Sequence, residues 1–173
     1  MLFCESRAHA RRDAQGAYVP LDAQDPAGWN EGMRLEAEQL LAGAAACGAL
    51  GAYQLEAAIQ SAHTQRRLGM AVAPQALVAL YDGLLALRPS IGAQVSRACA
   101  LAAAQGPAAG LQALDAIDAE RVASYQRYWA ARAHLLGAGG QVDAARAAYA
   151  RAGGLTSQPA VRAYLEQAAQ RLR

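Results

Sequence analysis

The chain has 173 residues, 54% of them apolar but only 6% aromatic, and a formal net charge of +2. That length suits one domain or one continuous helical array with an ample core. So small a net charge, with Arg7, Arg11 and Arg12 in one cluster, Arg66 and Arg67 in another and Arg171 and Arg173 in a third, argues against a nucleic-acid binder.

Ala and Leu supply most of the apolar residues, which favours packed helices over sheet. Every basic residue among the 16 is Arg, an alphabet expected of a GC-rich bacterial genome. Cys4, Cys47 and Cys99 are far apart and form no CxxC pair, so neither a disulfide frame nor a zinc site is indicated. They are expected as buried small hydrophobes in a reducing cytoplasm. No apolar run is long enough to span a membrane, and no membrane partner is expected.

In chain order, the first ten residues read as the tail of a helix. Asp13-Ala14-Gln15-Gly16 is a turn and Tyr18-Val19-Pro20-Leu21 is extended, which predicts a short extended loop or hairpin near the N-terminus. Asp25 is placed as a helix cap with Pro26 at the first helical position. The helix that follows is expected to bury Trp29, Met33, Ala37, Leu40, Leu41 and Ala44 on one face and to close at Gly48 and Gly51. The next opens near Ala52 and buries Leu55, Ala58, Ile59 and Ala62, with a loop from Gly69 to Pro74 after it. Pro74 starts a helix carrying Leu77, Tyr81 and Leu84 that stops at Arg88-Pro89. Ser90 caps the helix of Val95 and Ala98, and Gly106-Pro107 breaks the chain before Leu111, Leu114 and Ile117.

The stretch from Tyr125 to Ala152 reads as two helices folded back on each other at Gly137-Ala138-Gly139-Gly140. Trp129, then small Ala133, then Ala145, Tyr149 and Ala152 is the order of a tetratricopeptide-type helix pair. The order recurs: Leu114 lies 35 residues before Tyr149 and Tyr81 lies 33 before Leu114, and Ala98 and Ala133 each lie sixteen residues before Leu114 and Tyr149. The expected core of the repeats is therefore Tyr81, Leu114, Trp129, Ala145, Tyr149 and Ala152. A final helix with Val161, Tyr164, Leu165, Ala168 and Leu172 would cap the array. The expectation is all-α, a tetratricopeptide-like α-solenoid. It divides into a linker helix and ordered loop over 1–26 and a helical-repeat domain over 27–173, with repeats near 74–89, 90–119 and 122–154 and a capping helix over 157–173. A plain antiparallel bundle would share the same core residues.

Several stretches together are similar to a known family. They are Met1 to Trp29; Gly51-Ala52-Tyr53-Gln54-Leu55-Glu56-Ala57-Ala58-Ile59 with His63; Leu80-Tyr81-Asp82-Gly83-Leu84-Leu85-Ala86-Leu87-Arg88-Pro89-Ser90; and Ala131 to Leu136 with Ala144 to Tyr149. In that order they resemble the carboxy-terminal, tetratricopeptide-like extension of one group of extracytoplasmic-function RNA polymerase sigma factors. The chain departs from the pattern at Ala52, where Pro is expected, at Glu56, where Gln is expected, and at Gln94-Val95-Ser96-Arg97. Sigma regions two and four are not recognisable here, and the abrupt start at Leu2-Phe3 suggests a carboxy-terminal part of a longer protein. The resemblance implies a cytoplasmic regulatory domain acting on transcription initiation by protein–protein contact. Its partners would be sigma regions two and four and, through them, RNA polymerase. A free-standing helical-repeat adaptor that binds a peptide or protein in trans is the alternative.

Candidate contact residues are Tyr18, Tyr53, Gln54 and His63. Tyr53 and His63, ten apart on one helix, are expected on nearly the same face, with His63 alternatively capping carbonyls near a helix end. Arg132 is expected to pair with Asp115 or Asp118, and His134 poses the same choice between packing and contact. No catalytic constellation is present: Asp13, Asp22 and Asp25 lack the spacing of a calcium loop, and no nucleophile turn or glycine-rich phosphate loop accompanies the Ser, His and Asp residues. No enzyme activity, metal or cofactor is expected.

Overall fold

A computed structural model describes residues 1–172. It is all-helical, and its contacts divide the chain into two compact units, Met1–Arg88 and Pro89–Arg173.

In the first unit a short helix α1 (Leu2–Glu5) is followed by 3-10 turns at His9–Arg11, Leu21–Ala23 and Pro26–Gly28. Between the first two, the Val19 N–H donates to Arg11 O (2.9 Å) and the Asp13 N–H to Ala17 O (3.0 Å), around an isolated antiparallel bridge of Arg12 and Tyr18. Asp25 does cap, accepting from the Ala27 N–H, but only the Pro26–Gly28 turn follows it. The helix expected there, α2 (Glu31–Ala46), begins at a second cap, Asn30, whose side chain accepts from the Met33 N–H. Trp29 is extended between the two caps, so it is buried from a loop and not from the helix. Two good capping residues five apart compete, and the second one heads the longer run of helix formers.

The helices α3 (Ala52–Arg67) and α4 (Pro74–Leu87) complete this unit and pack as a pair. Leu55, Ile59 and Ala62 on α3 and Leu77, Tyr81 and Leu84 on α4 are buried. Thus α4, which the sequence places at the head of the repeats, has its partner upstream. The segment read as a linker packs on α2 and α3: Phe3 is buried, the Asn30 N–H donates to Ser6 O (2.7 Å), and Arg67 Nε donates to Gln24 O (2.6 Å).

In the second unit α5 (Ile91–Gln105) is capped by Ser90 and ends at Gly106, whose φ of 98° a side chain would oppose. It pairs with α6 (Pro107–Asp115). A one-turn α7 (Ala119–Val122), capped by Asp118, was not foreseen. Then α8 (Gln126–Ala138) pairs with α9 (Val142–Gly154), and α8 also packs on both α5 and α6. Finally α10 (Pro159–Gln170) lies on α9, with Leu165 buried.

Fully buried alanines set the spacing of these helices: Ala98, Ala133, Ala145 and Ala152 are all inaccessible, as is Leu114. Tyr149 is buried among Ala133, Leu136 and Leu165, while Trp129 is half-buried, edge-on to Tyr128. Arg132 pairs with Asp115, as expected. Because both side chains keep contact with water, the pair orients α6 and α8 more than it stabilises them.

Candidate functional site

The first unit leaves apolar surface open. Of the stripe that α2 was expected to bury, Ala37 alone is buried within the helix; Leu40 is 60% exposed and Met33 38%. Among the described residues α1 packs on part of α2, and the rest of the stripe forms a wall instead of a core. The result is an open groove of about 390 Å³ lined by Met1, Leu2 and Phe3 of α1, by Ala37, Leu40, Leu41 and Ala44 of α2, and by Tyr53, Gln54 and Ala57 of α3. Ala37 is the buried residue on the α2 side, while Leu40 and Tyr53 stand exposed.

Two of the sequence candidates lie here. Tyr53 is 77% exposed, with the Arg88 guanidinium over its ring at 5.5 Å. Gln54 and the Tyr53 hydroxyl are the polar side-chain groups in the lining. In the amide orientation that satisfies both its atoms, Gln54 donates to Ala49 O and accepts from the Ala45 N–H, each at 3.1 Å, which ties it to the end of α2.

The other two lie elsewhere. Tyr18 stands in the bridged loop at 37% exposure. His63 does not share a face with Tyr53, since ten residues leave about 80° between them around a helix. Nor does it cap carbonyls: its Nε2 lies 3.4 Å from the Tyr81 hydroxyl, across the α3–α4 pair. Burial holds its pKa below the usual histidine value, helped by the positive charges of Arg66 and Arg7 and opposed by Asp22.

Sequence reasoning missed the polar seam along α3. Arg7 Nη2 donates to Gln60 Oε1 (2.6 Å), the Cys4 thiol reaches the same oxygen (3.6 Å), and the Ser61 hydroxyl donates to the Glu38 carboxylate (2.7 Å). Desolvation lowers the Arg7 pKa, and Arg11 adds to this, while Cys4 acts the other way. No regular spacing announces these residues, which come from α1, the segment after it, α2 and α3. The cysteines are not the buried hydrophobes expected: Cys47, just past the end of α2, and Cys99 are exposed, and Cys4 is half-buried. Among the described residues, no three His, Cys, Asp or Glu side chains are grouped to hold a metal ion, and no helix is long and apolar enough to cross a membrane.

Residues 1–45 match a family of unknown function (DUF6596), so the match covers α1, the loop and most of α2. The chain is also similar to an uncharacterized protein of Rhizobium meliloti (strain 1021), 33% identical over 165 residues. That alignment takes in 95% of this chain and 39% of the relative, so the chain spans about two fifths of the relative's length. No solved structure matches.

Proposed function

We propose that this chain is a non-catalytic, cytoplasmic regulatory domain of an extracytoplasmic-function sigma factor, acting on transcription initiation through protein–protein contacts. In this reading it is a tetratricopeptide-like solenoid that follows sigma regions two and four in one polypeptide, and through them meets RNA polymerase. The observation that carries the contact reading is the open apolar groove of α1, α2 and α3. A helical domain with no outside contact would cover such a stripe. The repeat reading is supported by Ala98 and Ala133, and by Gly110 and Ala145, small residues 35 apart at matching places in two successive helix pairs. The packing of α8 on both α5 and α6 also favours it, since a stacked repeat leans on both helices of the one before. The sigma assignment rests on the motif resemblance, and a relative more than twice as long leaves room for further domains.

The test is a polypeptide that carries both sigma regions ahead of this domain. Leu40→Glu and Tyr53→Ala, both on exposed groove residues, should change transcription from its cognate promoter while the isolated domain keeps its helicity and melting. Unchanged transcription with a folded domain removes the groove from the mechanism. Capture of RNA polymerase that does not depend on the sigma regions would favour the adaptor reading instead.

A further inference from the structure

Folding brings together two groups of arginines that the sequence keeps far apart, Arg7 and Arg11 near its start and Arg66 and Arg67 at the end of α3. We infer that they form a docking surface for a short acidic segment of a protein partner, held by its carboxylates against the guanidinium groups. The inference rests on the contact reading above but not on the identity of the longer protein.

Hydrogen bonds place three of the four. Arg7 Nη2 donates to Gln60 Oε1 (2.6 Å), and Arg11 Nη2 donates to the carbonyl of Cys4 (2.8 Å), the residue whose thiol reaches that same glutamine oxygen (3.6 Å). Arg67 Nε donates to Gln24 O (2.6 Å). Gln60 and Arg67 are seven residues apart, so they share a face of α3 about 10 Å from one another along its axis. Arg66 is the fourth: its charge and that of Arg7 both act on His63, which lies between Gln60 and Arg67 in the helix.

No carboxylate neutralises this group. Arg34, Arg88, Arg132 and Arg146 pair with acids, whereas Arg7, Arg11, Arg66 and Arg67 have no ion pair among the described residues. Neutral oxygens hold Arg7, Arg11 and Arg67 instead, which fixes where each guanidinium points and leaves its charge uncompensated. Keeping such cations together and partly out of water is costly, and an incoming carboxylate relieves that cost. Asp13 and Asp25 accept N–H groups of their own turns, Glu5 acts on neither Arg7 nor His63, and Asp22 is the acid that acts on His63. The aspartates also select the class of partner. A nucleic-acid strand or an anionic membrane presents its charge continuously and would be repelled by Asp13, Asp22 and Asp25, all exposed on the same segment. A run of a few Glu or Asp can meet the arginines alone.

The probe is a fluorescein-labelled peptide with a run of Glu that, extended, spans about 13 Å, titrated into the full chain beside a version with Gln in place of Glu. The Glu peptide should bind about tenfold more tightly than the Gln peptide, and moderate salt should weaken it. Arg11→Glu with Arg66→Glu, both at exposed positions, should weaken it about tenfold with helicity and melting unchanged. Arg121→Glu with Arg127→Glu makes the same change in net charge on exposed residues of α7 and α8, and should leave the affinity within about twofold. If the first pair disturbs the fold, Arg11→Gln with Arg66→Gln replaces it and should weaken binding about threefold. Equal binding of the two peptides, or equal loss from the two charge-reversed pairs, overturns the proposal. So does tighter binding of a single-stranded oligonucleotide or of anionic vesicles than of the Glu peptide. If the peptide fails while Leu40→Glu and Tyr53→Ala still alter transcription in the longer polypeptide, this proposal falls and the regulatory reading stands. Binding of the peptide with transcription unaltered by those variants sinks the regulatory reading alone.

Discussion

Gly110 tests the closeness of the α5–α6 pair. A Cβ there would stand 2.6 Å from Ala102 Cβ, 2.7 Å from Leu135 Cδ1 and 2.8 Å from Ala98 O. Carbon atoms prefer about 3.5–4.0 Å, so each contact is short by most of an ångström. Leu135 can rotate its methyl away, but the other two atoms belong to or sit on the backbone of α5, so α5 and α6 must separate. Overpacking of this kind costs about 1–3 kcal/mol, and rigid neighbours put Gly110→Ala in the upper half. The gain from replacing a helical glycine by alanine is about 1 kcal/mol. The net expectation is a loss of about 1–2 kcal/mol, or roughly 4–8 °C in melting temperature per kcal/mol for a unit of this size. The assay is thermal and urea unfolding by far-UV dichroism. A Trp29→Phe background leaves Trp129, in the same unit as Gly110, as the fluorescence reporter. Gly43→Ala is the control: also within a helix, it has nothing within 4 Å of the added Cβ and should raise stability by up to about 1 kcal/mol. If Gly110→Ala stabilises as Gly43→Ala does, the close approach of α5 and α6 is wrong.

Other outcomes are expected on the same footing. Tyr149→Ala removes a buried ring from among Ala133, Leu136 and Leu165 and should cost about 3–5 kcal/mol in urea unfolding; a loss below about 0.5 kcal/mol would mean an exposed side chain. His63, whose folded pKa lies below its ordinary 6.5, takes up its proton less readily folded than unfolded. Stability should therefore decline as pH falls through 6.5 toward the depressed folded value, and His63→Gln should flatten that part of the profile; identical profiles would show His63 exposed. With a net charge of +2, any DNA binding by the chain should be weak, indifferent to sequence and removed by moderate salt, so a salt-resistant, sequence-dependent mobility shift would contradict the contact reading.

Much of the local structure was legible residue by residue. Pro74, Ser90 and Gly106-Pro107 mark helix boundaries where the structure has them, because backbone restrictions and caps act within one turn. The buried set at Ala98, Leu114, Ala133, Ala145 and Ala152 was legible too, since a periodic small or apolar residue shows which face of a helix must be covered. Periodicity does not say whether anything arrives to cover it. The stripes of α2 and α3 look alike in sequence, yet Ile59 is buried and Leu40 is not, because α4 lies along α3 while no described element covers Leu40 in the same way. The groove exists for that reason. The competition of Asp25 and Asn30 for the same helix start, the meeting of His63 with Tyr81, and the seam of Arg7, Cys4 and Gln60 were likewise settled in space. Composition and spacing determined the helices and their inner faces; only the packing of distant segments decided which apolar face stays uncovered.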